Sequence, residues 1–112
     1  MNRNYLKYKE VARALVHSGL DKYNIFYNFK YNRVAIRDQK SRWGSCSSKG
    51  NLNFNYRLAL LSARQSEYII VHELCHLKEM NHSARFWSLV EQTMPDYKDI
   101  ISELKKVNIR KL

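Results

Sequence analysis

Two histidines and a glutamate stand at a spacing that suits metal chemistry. In the run His72-Glu73-Leu74-Cys75-His76 the histidines are four residues apart, so on a helix their side chains lie on one face, one above the other. Two imidazoles placed in this way are suited to one zinc ion. Glu73 points slightly aside, where it could accept a proton from a zinc-activated water. The alternative is a metal-free structural cluster, whose burial would cost several kcal/mol unless every group were paired.

A third ligand is required, because two histidines rarely hold a catalytic zinc ion by themselves. The sequence has two further histidines, His17 and His82. On a continuous helix His82 would point about 120° away from His76, but a helix break before His82 would let the chain turn it back toward the metal. His17 follows the first predicted helix and is typical of a histidine at a helix C-terminus. We predict that His72, His76 and His82 bind zinc and leave a fourth position open to water.

Periodicity in the first half of the chain predicts the elements that precede this site. Apolar residues at helical spacing indicate a helix over residues 4–16, and Gly19 is typical of a helix stop. Aromatic or alternating segments predict extended pieces over residues 23–29, 33–37, 41–47 and 51–56. The segment 48–50 is suited to a hairpin turn between the last two. A small, mainly antiparallel sheet follows from this pattern.

At residue 62 the spacing of apolar residues changes from every second residue, which is typical of a strand, to the 3.6-residue period of a helix. Ser62 and Gln65 form a capping-box pattern, which predicts a helix from there to about Met80. Apolar residues on several of its faces indicate that this helix lies deep in the core. Two more helices are predicted over 83–93 and 96–107, with Pro95 separating them. The predicted fold is α+β: an N-terminal helix, the sheet, and three helices that include the buried metal-binding one.

Composition favours one globular domain over residues 1–112. Its first part (1–61) would contain the helix and a basic sheet, and its second part (62–112) the metal-binding helices. The net charge of +10 lies entirely in residues 1–64, with 13 basic and 3 acidic residues, whereas residues 65–112 have seven of each. The excess indicates an anionic partner or a solubilising surface. The apolar runs are too short for a membrane span, and the N-terminus has no secretory signal. Two cysteines make no disulfide framework, so together these features favour a cytoplasmic protein.

Three segments carry a resemblance to a known family. The runs RWGSCSSKGNLNFNYRLALL, VHELCHLKEMNHSARFW and MPDY resemble the YgjP-like metal-dependent hydrolases, a cytosolic family of zinc-metallopeptidase type, over roughly residues 34–98. The resemblance implies zinc at His72, His76 and His82, with Glu73 as general base. It also implies an SprT-like or minimal-gluzincin fold whose sheet edge receives the substrate. The chain resembles a minimal version, because family members commonly have a longer N-terminal β region.

The segment Arg42-Trp43-Gly44-Ser45-Cys46 is distinctive in that family, and we expect it near the site. Arg42 could hold an anionic group of the substrate, and the backbone amides of Gly44 and Ser45 could polarise a carbonyl. The alternative is structural: Trp43 anchors the sheet, Gly44 permits close approach, and Arg42 pairs with Asp38. The substrate-binding interpretation and the structural one both remain open.

Two further residues have an open role. Arg85 follows His82 and is expected to face the cleft or the solvent. Cys46 could be a fourth zinc ligand, which would close the site and make it structural, although a small buried thiol is the more common case.

The favoured function is a zinc-dependent metallopeptidase that acts on a peptide or protein. One alternative is a nucleoside triphosphate (UTP) pyrophosphatase, an assignment that some YgjP-like proteins carry. The basic first half suits a triphosphate, but the chain has no Gly-rich phosphate loop and no carboxylate cluster for magnesium. Another alternative is a non-catalytic, zinc-stabilised module that binds DNA or RNA, because aromatic and basic residues interleave over 23–37.

Overall fold

The computed structural model describes residues 2–112. Within them the chain forms α1 (Arg3–Tyr27), β1 (Arg33–Arg37), β2 (Gly44–Cys46), β3 (Asn51–Asn55), α2 (Ala63–His76), α3 (Ala84–Thr93) and α4 (Tyr97–Leu104). Short 3-10 helices cover Tyr56–Leu60 and Ile109–Lys111. The predicted α+β class is confirmed. None of the helices in this part of the chain is long and apolar enough to cross a membrane.

The first helix is longer than the sequence pattern predicted. The strand expected over residues 23–29 is wrong, because α1 continues to Tyr27 and ends at Asn28, whose backbone is left-handed with φ 55°. Gly19, expected to stop the helix, lies inside it and is buried. A Cβ atom on Gly19 would stand 2.6 Å from Ile70 Cδ1. The missing side chain therefore lets α1 pack closely against α2.

The sheet is mixed rather than mainly antiparallel, with strand order β1-β3-β2. β2 and β3 form the expected antiparallel hairpin, whose turn contains Gly50 at φ +79°. β1 pairs in parallel with β3 along its whole length, from Arg33 opposite Asn51 to Arg37 opposite Asn55. Alternation of polar and apolar residues is the same in parallel and antiparallel strands, so the pattern could not predict this direction.

Helix α2 lies at the centre of the molecule. Its capping box is present: Ser62 Oγ accepts from the Gln65 amide at 3.2 Å, and Gln65 Oε1 accepts from the Ser62 amide at 3.3 Å. The helix ends at His76, four residues before the predicted end. Residues on several of its faces are buried, as the consecutive Ile69, Ile70 and Val71 show, and each side chain of this kind stabilises the fold by about 1.5–3 kcal/mol. The predicted deep position of this helix is confirmed.

Candidate metal centre

The three histidines predicted as ligands converge on one point. The Nε2 atoms of His72, His76 and His82 lie 3.1 to 3.2 Å from one another. A tetrahedral metal ion with metal–nitrogen distances of about 2.0–2.1 Å would hold its nitrogen ligands about 3.3 Å apart. The three side chains therefore fit a single metal ion. His17 does not join them, because it lies on α1, and the group of converging imidazoles does not include it.

The helix break predicted before His82 is present. After His76 the chain leaves the helix, and His82 lies directly before Ser83, the residue that caps α3. Phe86 in the first turn of α3 is fully buried. Its ring centroid lies 5.0 Å from that of His72, 4.4 Å from that of His76 and 5.1 Å from that of His82. Phe86 thus anchors the start of α3 against all three imidazoles.

Hydrogen bonds at Nδ1 orient the two histidines of α2. His76 Nδ1 lies 2.9 Å from the carbonyl oxygen of Glu79; because a carbonyl can only accept, Nδ1 carries the proton and Nε2 keeps its lone pair. His72 Nδ1 lies 3.0 Å from the hydroxyl oxygen of Tyr68. Burial, reinforced by the neighbouring histidines, lowers the pKa of His72 to about 3. A neutral imidazole is the form that binds a metal.

Tyr68 is a residue that the sequence analysis missed. It is buried on α2 and stands four residues before His72, so the two side chains share one helix face. The same spacing rule that paired His72 with His76 could have identified it. Partners of this type fix the orientation and tautomer of a metal-binding histidine.

Glu73 lies beside the histidines and is almost completely buried, with 6% of its surface exposed. Burial raises the pKa of Glu73 to about 8, although the positive charge of Arg42 acts in the opposite direction. Gly44 of β2 stands against it: a Cβ atom on Gly44 would lie 3.0 Å from Glu73 Cγ. The close approach anticipated for this glycine is therefore present, and it joins the sheet to α2 beside the three histidines.

A cavity of about 510 Å³ opens next to Glu73. Its lining combines polar and charged residues, including Tyr68, His72 and His82, with five large apolar side chains from four parts of the chain. A smaller recess of about 230 Å³ lies against all three histidines and Glu73. Together the two spaces bring four of the predicted substrate-binding residues to the site: Arg42, Trp43, Gly44 and Ser45. Arg85 is not among them, because it lies on the exposed start of α3 beside Lys78 and Glu79.

The structural alternative, in which Arg42 pairs with Asp38, is wrong on this point. Asp38 instead accepts from Arg57 Nη1 at 2.9 Å and from Lys40 Nζ at 3.3 Å. Arg57 is almost fully buried, and this leaves the exposed Arg42 available at the cavity. The pairing could not be predicted because the carboxylate is separated from Arg57 by the whole β2–β3 hairpin.

Asn55 also positions the segment before β2, and the sequence analysis missed this role. Its side chain is fully buried, and Nδ2 donates to the carbonyl oxygens of Gln39 at 2.7 Å and Arg42 at 2.9 Å. Its Oδ1 accepts from the Arg57 amide at 3.0 Å. Asn55 therefore fixes the backbone that carries Arg42 and Trp43 toward the cavity.

Cys46 lines the smaller recess, but its environment does not favour a ligand role. Its Sγ donates weakly to the Ser47 carbonyl oxygen at 3.5 Å. Burial, together with the charge of Glu73, raises the pKa of the Cys46 thiol to about 11. The three imidazoles converge without it.

Comparisons with known proteins agree with this geometry. Residues 3–107 match the family described as YgjP-like, metallopeptidase domain. The metallopeptidase zymogen abylysin of Pyrococcus abyssi is 28% identical, with a TM-score of 0.67 over 83% of this chain and 90% of that one.

The metallopeptidase zymogen jannalysin of Methanocaldococcus jannaschii is 23% identical, with a TM-score of 0.63 over 85% of this chain and 94% of that one. At this identity the similarity shows a shared fold. A search of curated proteins found no significant match. Because the family match spans nearly all of the described chain and includes the three converging histidines, the chain belongs to the YgjP-like family and is a hydrolase of the metallopeptidase type.

Proposed function

We propose that this chain is a zinc-dependent metallopeptidase in which His72, His76 and His82 hold the metal and Glu73 is the general base. The convergence of the three Nε2 atoms at 3.1 to 3.2 Å is the observation that supports this most directly. When bound, zinc supplies positive charge that acidifies a water molecule and polarises the substrate carbonyl. The choice of zinc rests on an all-imidazole ligand set, which is typical of catalytic zinc sites.

Glu73 has the properties of a proton-transfer group. It lies next to the three histidines and lines the cavity; burial raises its pKa, and the positive charge of a bound metal would act in the opposite direction, toward the working pH. A general acid–base catalyst is most effective when its pKa lies near the working pH. Glu73 would accept a proton from the attacking water and then donate it to the leaving amine.

The position of β2 favours a peptide as the substrate. β2 is an edge strand, and within residues 2–112 its one strand partner is β3. An extended peptide can pair with such an edge through backbone hydrogen bonds. Because Gly44 of β2 touches Glu73, a peptide paired there would pass close to the general base.

The two alternatives gain no support from the site. A UTP pyrophosphatase would need a cluster of carboxylates that holds magnesium on the triphosphate, but within residues 2–112 the lining of the cavity beside Glu73 has no acidic residue other than Glu73. The nucleic-acid module relied on aromatic and basic residues that interleave over 23–37, but the first part of this segment belongs to α1, and Tyr27 is buried. A cytoplasmic location stays a prediction.

The test is zinc-dependent cleavage of unfolded proteins and of a mixed peptide library. The wild type should cleave, and Glu73→Gln should lose at least about a hundredfold in rate because the proton acceptor is removed. Glu67→Gln is the matched control: the same substitution on the same helix, at a residue that pairs with Lys22 away from the cavity. Equal cleavage by the wild type and Glu73→Gln would remove the proposal.

A further inference from the structure

The cavity beside Glu73 has walls suited to a large apolar side chain. Its volume of about 510 Å³ lies in the range of sites that enclose most of a bound group. The apolar walls come from the segment before β2, from α2, from α3 and from α4: Trp43, Ile69, Trp87, Ile101 and Leu104. We call this space the apolar cavity. A phenylalanine or leucine side chain beside the scissile bond would bury its surface there.

A second cavity, of about 380 Å³, adjoins the apolar cavity at Ser41 and Lys105, which line both. Its lining contains no acidic residue and four cationic ones: Lys40, Lys105, Lys106 and Arg110. We call this second cavity, with its four cationic residues, the basic groove. Lys40 is paired with Asp38, whereas Lys105, Lys106 and Arg110 form no ion pair within residues 2–112.

We propose that the basic groove binds acidic side chains of the peptide whose large apolar side chain fills the apolar cavity. The enzyme then prefers bonds next to a large apolar residue that is flanked by acidic residues. This inference rests on the proposed peptidase function and adds a substrate class to it. Uncompensated cations beside a cleft attract and select ligands of opposite charge, and Arg42 at the apolar cavity adds to the same field.

The lining of the basic groove favours a peptide over a nucleic acid. Grooves that bind single-stranded nucleic acids combine cations with aromatic side chains on which bases stack. The second cavity has no aromatic side chain; its neutral lining residues are Ser41, Val107, Asn108 and Ile109. The cations are therefore arranged for carboxylates, without a platform for bases.

The test compares three peptides that are identical except for the residues flanking one central phenylalanine, which are glutamate, glutamine or lysine. The wild type should cleave the glutamate peptide about tenfold better than the glutamine peptide, measured as kcat/KM, and the lysine peptide worst. In the double variant Lys106→Glu and Arg110→Glu, kcat/KM for the glutamate peptide divided by kcat/KM for the glutamine peptide should fall to about one or below. Replacing phenylalanine with glycine in the glutamate peptide should also lower kcat/KM for the wild type.

The control is Lys7→Glu with Arg33→Glu, which changes the net charge equally at two exposed residues that line neither cavity. This variant should keep the wild-type ratio. Equal cleavage of all three peptides by the wild type would overturn the proposal. The same loss of preference in both double variants would also overturn it, since that result would assign the effect to the overall charge.

A binding measurement separates this proposal from the peptidase proposal. Zinc-loaded Glu73→Gln should bind the fluorescent glutamate peptide, and adding Lys106→Glu and Arg110→Glu should weaken that binding about tenfold. If this holds while no variant cleaves any peptide, the basic groove is supported and the peptidase function fails. A single-stranded oligonucleotide of the same charge that binds more tightly and displaces the peptide would overturn the acidic-peptide assignment.

Discussion

Gly44 on β2 and Glu73 on α2 approach so closely that a Cβ atom on Gly44 would lie 3.0 Å from Cγ and 3.2 Å from Oε2 of Glu73. The same atom would stand 2.9 Å from the backbone oxygen of Asn53. That oxygen belongs to the central strand of the sheet and cannot move without disturbing it. A side chain on Gly44 would therefore displace Glu73.

Replacing Gly44 with alanine should lower the rate of peptide cleavage by about tenfold to a hundredfold, because a misplacement of about 1 Å in a catalytic group has an effect of this size. The overpacked side chain should also destabilise the fold by about 1–3 kcal/mol. The measurements are kcat and urea unfolding on the same protein samples.

Gly19→Ala is the matched control, because it also introduces a methyl group into a close contact, here with Ile70 Cδ1 at 2.6 Å. It should destabilise the fold while kcat at a permissive temperature stays at the wild-type value. A similar fall of kcat in both variants would show that the effect of Gly44→Ala reflects stability rather than the position of Glu73.

Replacing Tyr68 with phenylalanine should weaken zinc binding about tenfold to a hundredfold, since His72 Nδ1 loses the partner 3.0 Å away that orients its ring. The measurement is competition with a chromophoric chelator. Tyr27→Phe is the control: it removes a buried hydroxyl that hydrogen-bonds with Leu89 and Thr93. It should lower stability by about 1 kcal/mol without a change in zinc affinity, and equal affinity in all three proteins would contradict the role of Tyr68.

Replacing His82 with alanine should abolish the stabilisation that zinc provides. At a hundred times its dissociation constant a ligand stabilises a protein by about 2.7 kcal/mol, which for a domain of this size raises Tm by about 10 °C. Wild type and His17→Ala should show this rise over the chelator-treated protein, because His17 lies outside the ligand group. Both histidines are exposed, so neither substitution should unfold the chain, and a zinc-dependent rise in His82→Ala would contradict the three-histidine site.

Acidification should weaken the contact between Asp38 and Arg57. Burial by itself would raise the pKa of Asp38, but hydrogen bonds from Arg57, Lys40 and Asn2 together hold it below the ordinary value of 3.8. A carboxylate with a lowered pKa contributes stability that is complete above its unfolded-state pKa and is lost as the pH falls through its folded-state pKa. Asp38→Asn should therefore be less stable than the wild type at pH 7. Urea unfolding from pH 7 downward should show the two converging below about pH 3.8, and a difference independent of pH would contradict this account.

The parts of the fold that depend on neighbouring residues could be predicted from the sequence. The capping box at Ser62 and Gln65 and the alternating strand over 51–55 depend on contacts a few residues apart, which the pattern records. His82 was predicted on chemical grounds, because a catalytic metal with two histidines needs a third ligand and the helix could break before it.

The parts that depend on distant contacts could not be predicted. Aromatic residues over 23–29 favour a strand by local preference, but the Tyr27 hydroxyl bonds to Leu89 and Thr93, more than sixty residues later, which holds this end of α1 against α3. The glycine in the middle of α1 serves contact with Ile70 rather than a turn. The parallel pairing of β1 with β3 likewise depends on two strands that are separated in the sequence by β2 and its connections.

The shortness of β2, Gly44–Cys46, has a consequence for self-association. An open strand edge is a template on which a second copy of the same chain can pair and begin to aggregate. Three residues offer few backbone hydrogen bonds, each with a net value of about 1 kcal/mol, which is too little to hold two copies together. These few backbone hydrogen bonds are enough for a peptide that is also held by other contacts in the cleft. The brevity of the strand thus permits transient pairing with a ligand and disfavours the growth of fibrils from the same edge.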